Sequence, residues 1–306
     1  MRIAVTGANG FIGQAVVQAL INAGHEIDAL VRTHFPQQWQ AEPKVYVTHC
    51  DLLQPDSLSD ALAKCDVVIH LAAVMQGGNQ YHDTLAATRN LLAAMDAANI
   101  HRLIALSSIA VLDYVQAPAM SDINENTPLN NRDKELGNYA RMKRDQEHLL
   151  TQWYKDGKQL LLMRPGLVYS DDQLATAHAG FKVLLAKHEG EVPVVHVNDV
   201  AAACAQAVEH TTMSHEVIHL LDAQLPSQHT YINALKQRGV LSGGISLPWC
   251  AFAGCMSLLR IPLALINKIP DGIRRNSVCA RQKPFRFSHA KAQRLLNWQS
   301  VHSLND

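Results

Sequence analysis

The chain has 306 residues, with 27 Lys and Arg against 27 Asp and Glu, so its formal charge is zero. A chain of this length buries roughly 75% of its unfolded surface and needs no disulfide or structural metal to be stable, and the neutral balance argues against a dedicated nucleic-acid binder, which carries a basic excess. Apolar residues make up 48% and charged residues 18%, a globular composition that excludes low-complexity and collagen-like chains.

Arg2 to Thr6 is a short β-branched run, followed by glycines and an apolar-periodic stretch from Phe11 to Ala23. That order reads as strand, tight turn and helix. Further strands are predicted over Ile27–Val31, Val45–Thr48, Val67–Leu71, Leu103–Leu106 and Leu160–Met163. Helices are predicted from near Asp56, over Tyr81–Ala98 and over Tyr139–Tyr154. Strands alternating with helices imply parallel pairing through right-handed crossovers, hence an α/β fold with a doubly wound parallel sheet. After Arg164 the pattern loosens. Val192–Val197, a helix over Asn198–Glu209 and a strand over Glu216–Leu221 return to sheet-like elements. The expected division is a sheet domain of residues 1–165 plus 191–222, and a smaller C-terminal lobe of residues 166–190 and 223–306.

Six cysteines are scattered at Cys50, Cys65, Cys204, Cys250, Cys255 and Cys279, none in Cys-x-x-Cys spacing. The N-terminus carries no apolar run with a small-residue cleavage site. Both point to a reducing, cytoplasmic setting.

The first turn reads Thr6-Gly7-Ala8-Asn9-Gly10-Phe11-Ile12-Gly13. Glycine at these spacings allows a sharp turn, close approach of a pyrophosphate to the backbone and tight helix–strand packing, and the helix then presents free N–H groups to phosphate. The second strand ends Leu30-Val31-Arg32 without a carboxylate. A carboxylate there grips a ribose 2′-hydroxyl, whereas an arginine suits a 2′-phosphate, so NADP is the preferred cofactor and NAD the alternative. Glu26 and Asp28 come too early in the strand to reach the ribose, and Asp51-Leu52, after the third strand, borders the adenine in this reading.

Tyr139 and Lys143 stand four apart at the start of an amphipathic helix. This spacing puts phenol and ammonium on one face, about 6 Å apart in rise. A free tyrosine titrates near 10, and a neighbouring cation is expected to pull that value toward neutral pH and make the phenol a usable acid/base.

With Thr6 to Gly13, Asp51-Leu52, His70-Leu71-Ala72-Ala73, Ser107-Ser108, Tyr139 and Lys143, Arg164 to Tyr169, His196 to Val200, and the late Ser288, Lys291 and Leu296-Asn297-Trp298, the chain resembles the extended short-chain dehydrogenase/reductases of the NAD-dependent epimerase/dehydratase family. The resemblance covers nearly the whole chain. It implies a Rossmann sheet with a C-terminal substrate lobe and hydride transfer at a nicotinamide. It also implies a catalytic set of Ser108, Tyr139 and Lys143, with Ser107 the neighbouring alternative to Ser108. The cofactor would lie against Gly7, Asn9, Gly10, Phe11, Ile12, Gly13, Arg32, Asp51, Leu52, Leu71, Ala72, Ala73, Lys143 and Pro165.

Departures from the family pattern narrow the substrate. Ser108 is followed by Ile109-Ala110 rather than the Asp-Glu pair of sugar-nucleotide dehydratases. Leu167 stands where nucleotide-sugar members often carry Asn, Ser170 replaces a usual Gly, Thr84 a common structural Asn, and Leu112 a common Tyr. The segment from Arg164 to His196 is short for a nucleotide-sugar lobe. The leading expectation is an NAD(P)-dependent oxidoreductase acting at a carbonyl or secondary alcohol of a small, fairly apolar molecule. A nucleotide-sugar 4-epimerase or reductase is second, and a cofactor-binding sensor without turnover third. The expected partner is a small-molecule substrate, not nucleic acid, and a homodimer is allowed but not required.

Ile245 to Ile269 is the most apolar stretch, broken by Pro248, Arg260 and Pro262. Its uncharged runs are shorter than the ~20 residues that cross a bilayer, so no transmembrane segment is expected. Lobe core or a dimer contact is the plain reading, with an apolar substrate pocket or membrane-surface contact behind it. His215-Glu216-Val217-Ile218-His219 matches a zinc signature that requires a helix. The run reads as a strand, which spaces the two imidazoles about 13 Å apart, so no metal site is expected.

Overall fold

The computed structural model describes residues 1–74, 78–155, 157–174, 184–211, 214–239, 241, 245–265 and 269–304. In chain order the elements are β1 (Arg2–Thr6), α1 (Phe11–Asn22), β2 (Glu26–Val31), β3 (Val45–His49), α2 (Asp56–Leu62), β4 (Val67–His70), α3 (Gln80–Ala97), β5 (Arg102–Leu106), β6 (Asp122–Ile123) and α4 (Asn138–Trp153). They continue with β7 (Gln159–Pro165), β8 (Leu167–Tyr169), β9 (Leu184–Lys187), β10 (Val194–His196), α5 (Val197–Glu209), β11 (His215–Leu220), α6 (Gln228–Gln237), β12 (Ile245–Pro248), α7 (Trp249–Leu265), α8 (Arg275–Gln282), β13 (Arg286–Phe287) and α9 (Ala290–Leu296).

Seven strands form one parallel sheet in the order β11-β7-β5-β4-β1-β2-β3. This is the doubly wound Rossmann arrangement. The chain winds outward from β1 through β2 to β3, then returns to β4 and winds the other way. The strand order therefore reverses between β1 and β4, and the crevice beyond the carboxyl ends of those two strands is where such sheets take ligands.

The strands are nearly continuous apolar runs because both faces of the sheet are covered. Alternate residues serve opposite cores. Ile3, Val5, Val67, Ile69, Leu161 and Met163 pack with α1 and α5 on one face. Ala4, Val68, Leu160 and Leu162 pack with α3 and α4 on the other, against Leu91, Leu150 and Trp153. Each fully buried Val, Leu or Ile contributes roughly 1.5–3 kcal/mol relative to exposure, so a one-residue slip of any central strand would turn these runs onto the wrong core.

The His-Glu-x-x-His run is strand β11, paired with β7, so its two imidazoles lie along an extended chain. Asp28, in the middle of β2, is engaged by Arg2, from which it accepts at 2.9 Å.

Three further apolar clusters lie apart from the two sheet-face cores, one around Tyr169, Val192, Tyr231 and Leu235, one around Tyr114, Ile123, Cys279 and Phe285, and one around Ala186, Phe252, Met256 and Val278; the first two mix residues from both sides of the expected division. Part of the segment 166–190 assigned to the smaller lobe, residues 175–183, lies outside the described residues. The C-terminal end departs from the division drawn from sequence. Ala292, Leu296 and Trp298 pack in the core of the sheet, Trp298 Nε1 donates to the Asp199 carbonyl at 3.0 Å, and Ser300 Oγ donates to the Asp199 carboxylate at 2.8 Å. The tail thus returns from the lobe to the sheet domain.

For the apolar stretch over residues 245–269, of which residues 266–268 lie outside the described residues, the structure bears on the lobe-core part of its plain reading and not on the dimer contact. In α7 only Phe252 and Met256 are buried, while Leu258, Leu259, Ile261 and Leu265 are exposed. Two buried positions four apart anchor the helix by one narrow face, so most of the stretch is not lobe core. None of its described residues lines the main cavity. No helix of the described residues is long and apolar enough to cross a membrane.

Candidate active site

A cavity of about 860 Å³ opens at the carboxyl ends of β1 and β4, and every catalytic and cofactor-binding residue expected from the sequence lines it. The glycine turn forms its floor. Gly7 has φ +69°, and a Cβ there would stand 3.0 Å from the Ala72 backbone. A Cβ on Gly13 would stand 2.1 Å from the Gly7 carbonyl oxygen. Only glycine lets α1 pack this closely on the turn. Helix α1 has no side-chain cap and no acidic residue in its first turn. Its leading N–H groups, which have no partner inside the helix, are therefore available to an anion.

Ser108, Tyr139 and Lys143 stand together on the opposite wall, Ser108 just beyond β5 and the other two on α4. Ser108 Oγ accepts from the Ala110 N–H at 3.2 Å. Tyr139 is 40% exposed, opening onto the cavity. Its electrostatics differ from the sequence expectation. Burial of the phenol raises its pKa above the usual value, and the group that acts against this is Ser108, not Lys143. The physical reason lies in where Lys143 points. Its ammonium donates to the Leu106 carbonyl at 2.8 Å and to Gln146 Oε1 at 2.9 Å. Burial lowers its own pKa to about 8, with Glu147 opposing.

Behind Lys143 runs a buried polar network. Gln146 Nε2 donates to Thr88 Oγ1 at 2.9 Å and lies 3.1 Å from His70 Nε2, while His70 Nδ1 lies 2.7 Å from Thr6 Oγ1. Burial holds His70 at about 3, so it stays neutral and adds no charge to the site. Thr84 secures the loop after β4 by accepting from the Val74 N–H at 2.9 Å.

At the β2 side of the cavity, Arg32 leaves the strand as an exposed side chain beside Thr33 and His34. Asp51 turns its carboxylate back to the Leu53 N–H at 3.0 Å, and the Leu52 carbonyl accepts from Asn90 at 2.9 Å.

The sequence reading missed part of the far wall. Asp271, Asn276, Ser277, Ala280 and Arg281, from α8 and the turn before it, line the cavity, as do Tyr114 and Ser107. Tyr114 is structural, since its hydroxyl donates to the Ile109 carbonyl at 3.0 Å and its ring packs on Phe285. Asn276 is likewise committed, accepting from the Tyr114 N–H at 3.0 Å and donating to the Leu112 carbonyl at 3.0 Å. Ser107 Oγ is buried without a hydrogen-bond partner among the described residues. No local motif marks the α8 residues; the signal available was the basic, polar character of residues 274–283 after an apolar stretch.

A Rossmann sheet with an uncapped glycine turn at its switch point and a Ser–Tyr–Lys constellation across the crevice defines the class of nucleotide-binding α/β proteins with a catalytic-type cleft. The chain belongs to the NAD dependent epimerase/dehydratase family, whose family model matches residues 3–219. It is 28% identical over 184 residues to a 4-hydroxy-2-methyl-3-oxo-4-farnesyl-3,4-dihydroquinoline-1-oxide ketoreductase of Stigmatella aurantiaca, covering 57% of this chain and 52% of that protein. It is 26% identical over 217 residues to a 2-alkyl-3-oxoalkanoate reductase of Shewanella oneidensis, covering 65% of this chain and 54% of that protein. The match thus spans about half the length of each of these relatives. Among solved structures, a UDP-glucuronic acid 4-epimerase of Bacillus cereus in complex with NAD superposes with a TM-score of 0.72 at 21% identity, covering 100% of this chain and 94% of that one.

Proposed function

We propose that the protein is an NAD(P)-dependent reductase of a carbonyl on a small, partly apolar molecule, with Tyr139 as the proton donor. One observation carries this reading: a single cavity joins the glycine turn, which fits a pyrophosphate, to Ser108, Tyr139 and Lys143. The glycine turn and the Arg32 side of the cavity would hold the cofactor, and the lobe would hold the substrate. A bound nicotinamide cofactor supplies or accepts the hydride.

The chain's own residues do the rest. Ser108 hydrogen-bonds the substrate oxygen and orients the carbonyl toward Tyr139. The Tyr139 phenol, raised above its usual pKa by burial, carries its proton at neutral pH, and the Ser108 side chain, which acts to lower it, is the group on this wall that eases its release. As the carbonyl carbon takes a hydride, its oxygen takes the Tyr139 proton and becomes a hydroxyl, and the phenolate is reprotonated from water. Lys143 lies along the inner wall, its ammonium held by the Leu106 carbonyl and Gln146, from where it would reach a cofactor ribose. The names of the two relatives, a ketoreductase and a 3-oxoalkanoate reductase, support a ketone substrate. Leu167 on the cavity wall supports an apolar one. The cysteine spacing supports a cytoplasmic setting.

The test is oxidation of NADPH and NADH in the presence of 2-alkyl-3-oxo acids, their esters and simple ketones. Wild type is expected to turn over at least one of these, and Tyr139→Phe to lose roughly 10²–10⁴-fold in turnover with unchanged cofactor affinity. Near-full activity of Tyr139→Phe would remove the phenol from the mechanism.

A further inference from the structure

The reductase reading leaves one cation of the cavity unused. Arg281, on α8, lines the cavity. Burial lowers its pKa, and the charge acting against this is Asp271. Among the described residues its guanidinium makes no hydrogen bond or ion pair. Asp271 is already engaged, accepting from the Asn138 N–H at 2.8 Å and from Arg274 Nε at 3.1 Å. A guanidinium that opens onto a cleft with no protein acceptor among the described residues marks where a ligand can bring the opposite charge.

Close contacts tie Arg281 to the Tyr139 end of the cavity. A Cβ on Gly272 would stand 3.6 Å from a terminal guanidinium nitrogen of Arg281. A Cβ on Gly137 would stand 3.3 Å from the Asp271 side chain and 3.2 Å from Ser277 Oγ. Gly137 and Asn138 lead directly into Tyr139, so Asp271, Gly272 and Arg281 sit against the start of the helix that carries the phenol. Ser107, 3% exposed and with an Oγ that has no hydrogen-bond partner among the described residues, is a second polar residue lining the same cavity.

Resting on the reductase reading, we propose that Arg281 binds a carboxylate carried by the same molecule as the reacting carbonyl, so that the substrate is an oxo acid rather than a neutral ketone. The planar guanidinium fork matches a carboxylate in a bidentate pair. A phosphate offers the same oxygen chemistry, but the single guanidinium of Arg281 balances one negative charge, and the Asp271 carboxylate beside it disfavours a second. Leu167 and Ala280 give the remainder of the acid an apolar wall.

The experiment is isothermal titration of the NADP⁺-saturated protein with 3-hydroxyoctanoate, its methyl ester, inorganic phosphate and UDP-glucose. The acid is expected to bind roughly 10–100-fold more tightly than the ester, the usual worth of hydrogen bonds to a charged group. Arg281→Met should erase that margin and leave the ester's affinity unchanged. Arg281→Lys should restore part of it, because lysine keeps the charge without the fork. NADPH fluorescence titration of both variants confirms that each is folded. Equal binding of acid and ester, no acid binding at millimolar concentration, or an Arg281→Met affinity equal to wild type overturns the proposal. Phosphate or UDP-glucose binding more tightly than the acid, and lost in Arg281→Met, also overturns it by assigning the residue to phosphate. The underlying reductase reading fails separately. Wild type that binds no NADPH sinks that reading, whereas turnover of acid and ester at equal efficiency sinks only the role of Arg281.

Discussion

Lys143 and Gln146, one turn apart on α4, are joined by a hydrogen bond of 2.9 Å from Nζ to Oε1. Gln146 is held in place by Thr88 and His70, so the ammonium is fixed against the inner wall by neutral groups. The carboxylate that acts on it, Glu147, is committed to Arg164 at 2.8 and 2.9 Å. Burial therefore prevails, and the lysine titrates near 8 instead of 10.5.

This lowered value makes stability depend on pH in a definite sense. The unfolded chain binds the Lys143 proton more tightly than the folded one, so protonation opposes folding. The penalty is fully present below about 8 and is relieved as pH rises toward 10.5. Urea denaturation of wild type and Lys143→Met should show wild type gaining relative stability across that window, by up to ~1.4 kcal/mol per pH unit. Parallel curves for the two proteins would mean the lysine titrates normally.

Arg32 stands exposed on the cavity rim with no carboxylate at the end of β2. NADPH is expected to bind more tightly than NADH, since a guanidinium makes charge-assisted bonds to a 2′-phosphate that a hydroxyl does not replace. Arg32→Ala should weaken NADPH chiefly, and Val31→Asp should favour NADH. Nicotinamide fluorescence titrations decide this; an equal effect of Arg32→Ala on both cofactors would show that the arginine does not read the phosphate.

Leu167 faces the cavity in place of a polar side chain. UDP and UDP-sugars are accordingly expected to leave the melting temperature unchanged. A nucleotide-sugar at 100 times its Kd would add about 2.7 kcal/mol, which a thermal-shift assay detects easily. A clear shift would favour the epimerase alternative.

Glu147 and Arg164 form a two-pronged ion pair with side chains 3% and 6% exposed. Glu147→Ala leaves the guanidinium charged, buried and unpaired, and should destabilise the fold by about 3–5 kcal/mol. Replacing both residues with apolar ones of similar volume should cost much less. Chemical denaturation of the single and double variants measures the difference, and a single-variant loss below 1 kcal/mol would contradict the burial argument.

What the sequence determined by itself was local. The strands from Arg2 to Met163 and the helices between them were legible because apolar periodicity and turn chemistry act over a few residues, and the Gly7–Gly13 turn and the Tyr139–Lys143 spacing carry their geometry within one element. Tertiary structure decided the rest. Whether the Tyr139 phenol is lowered or raised depends on its burial and on what stands beside it, and the neighbour that acts on it, Ser108, comes from the end of β5. Arg281 reaches the cavity because α8 folds back against the start of α4, more than a hundred residues away in the chain, a contact with no local signature. The exposure of Leu258, Leu259, Ile261 and Leu265 is likewise invisible to hydropathy, which records how apolar a helix is but not whether another element is there to cover it.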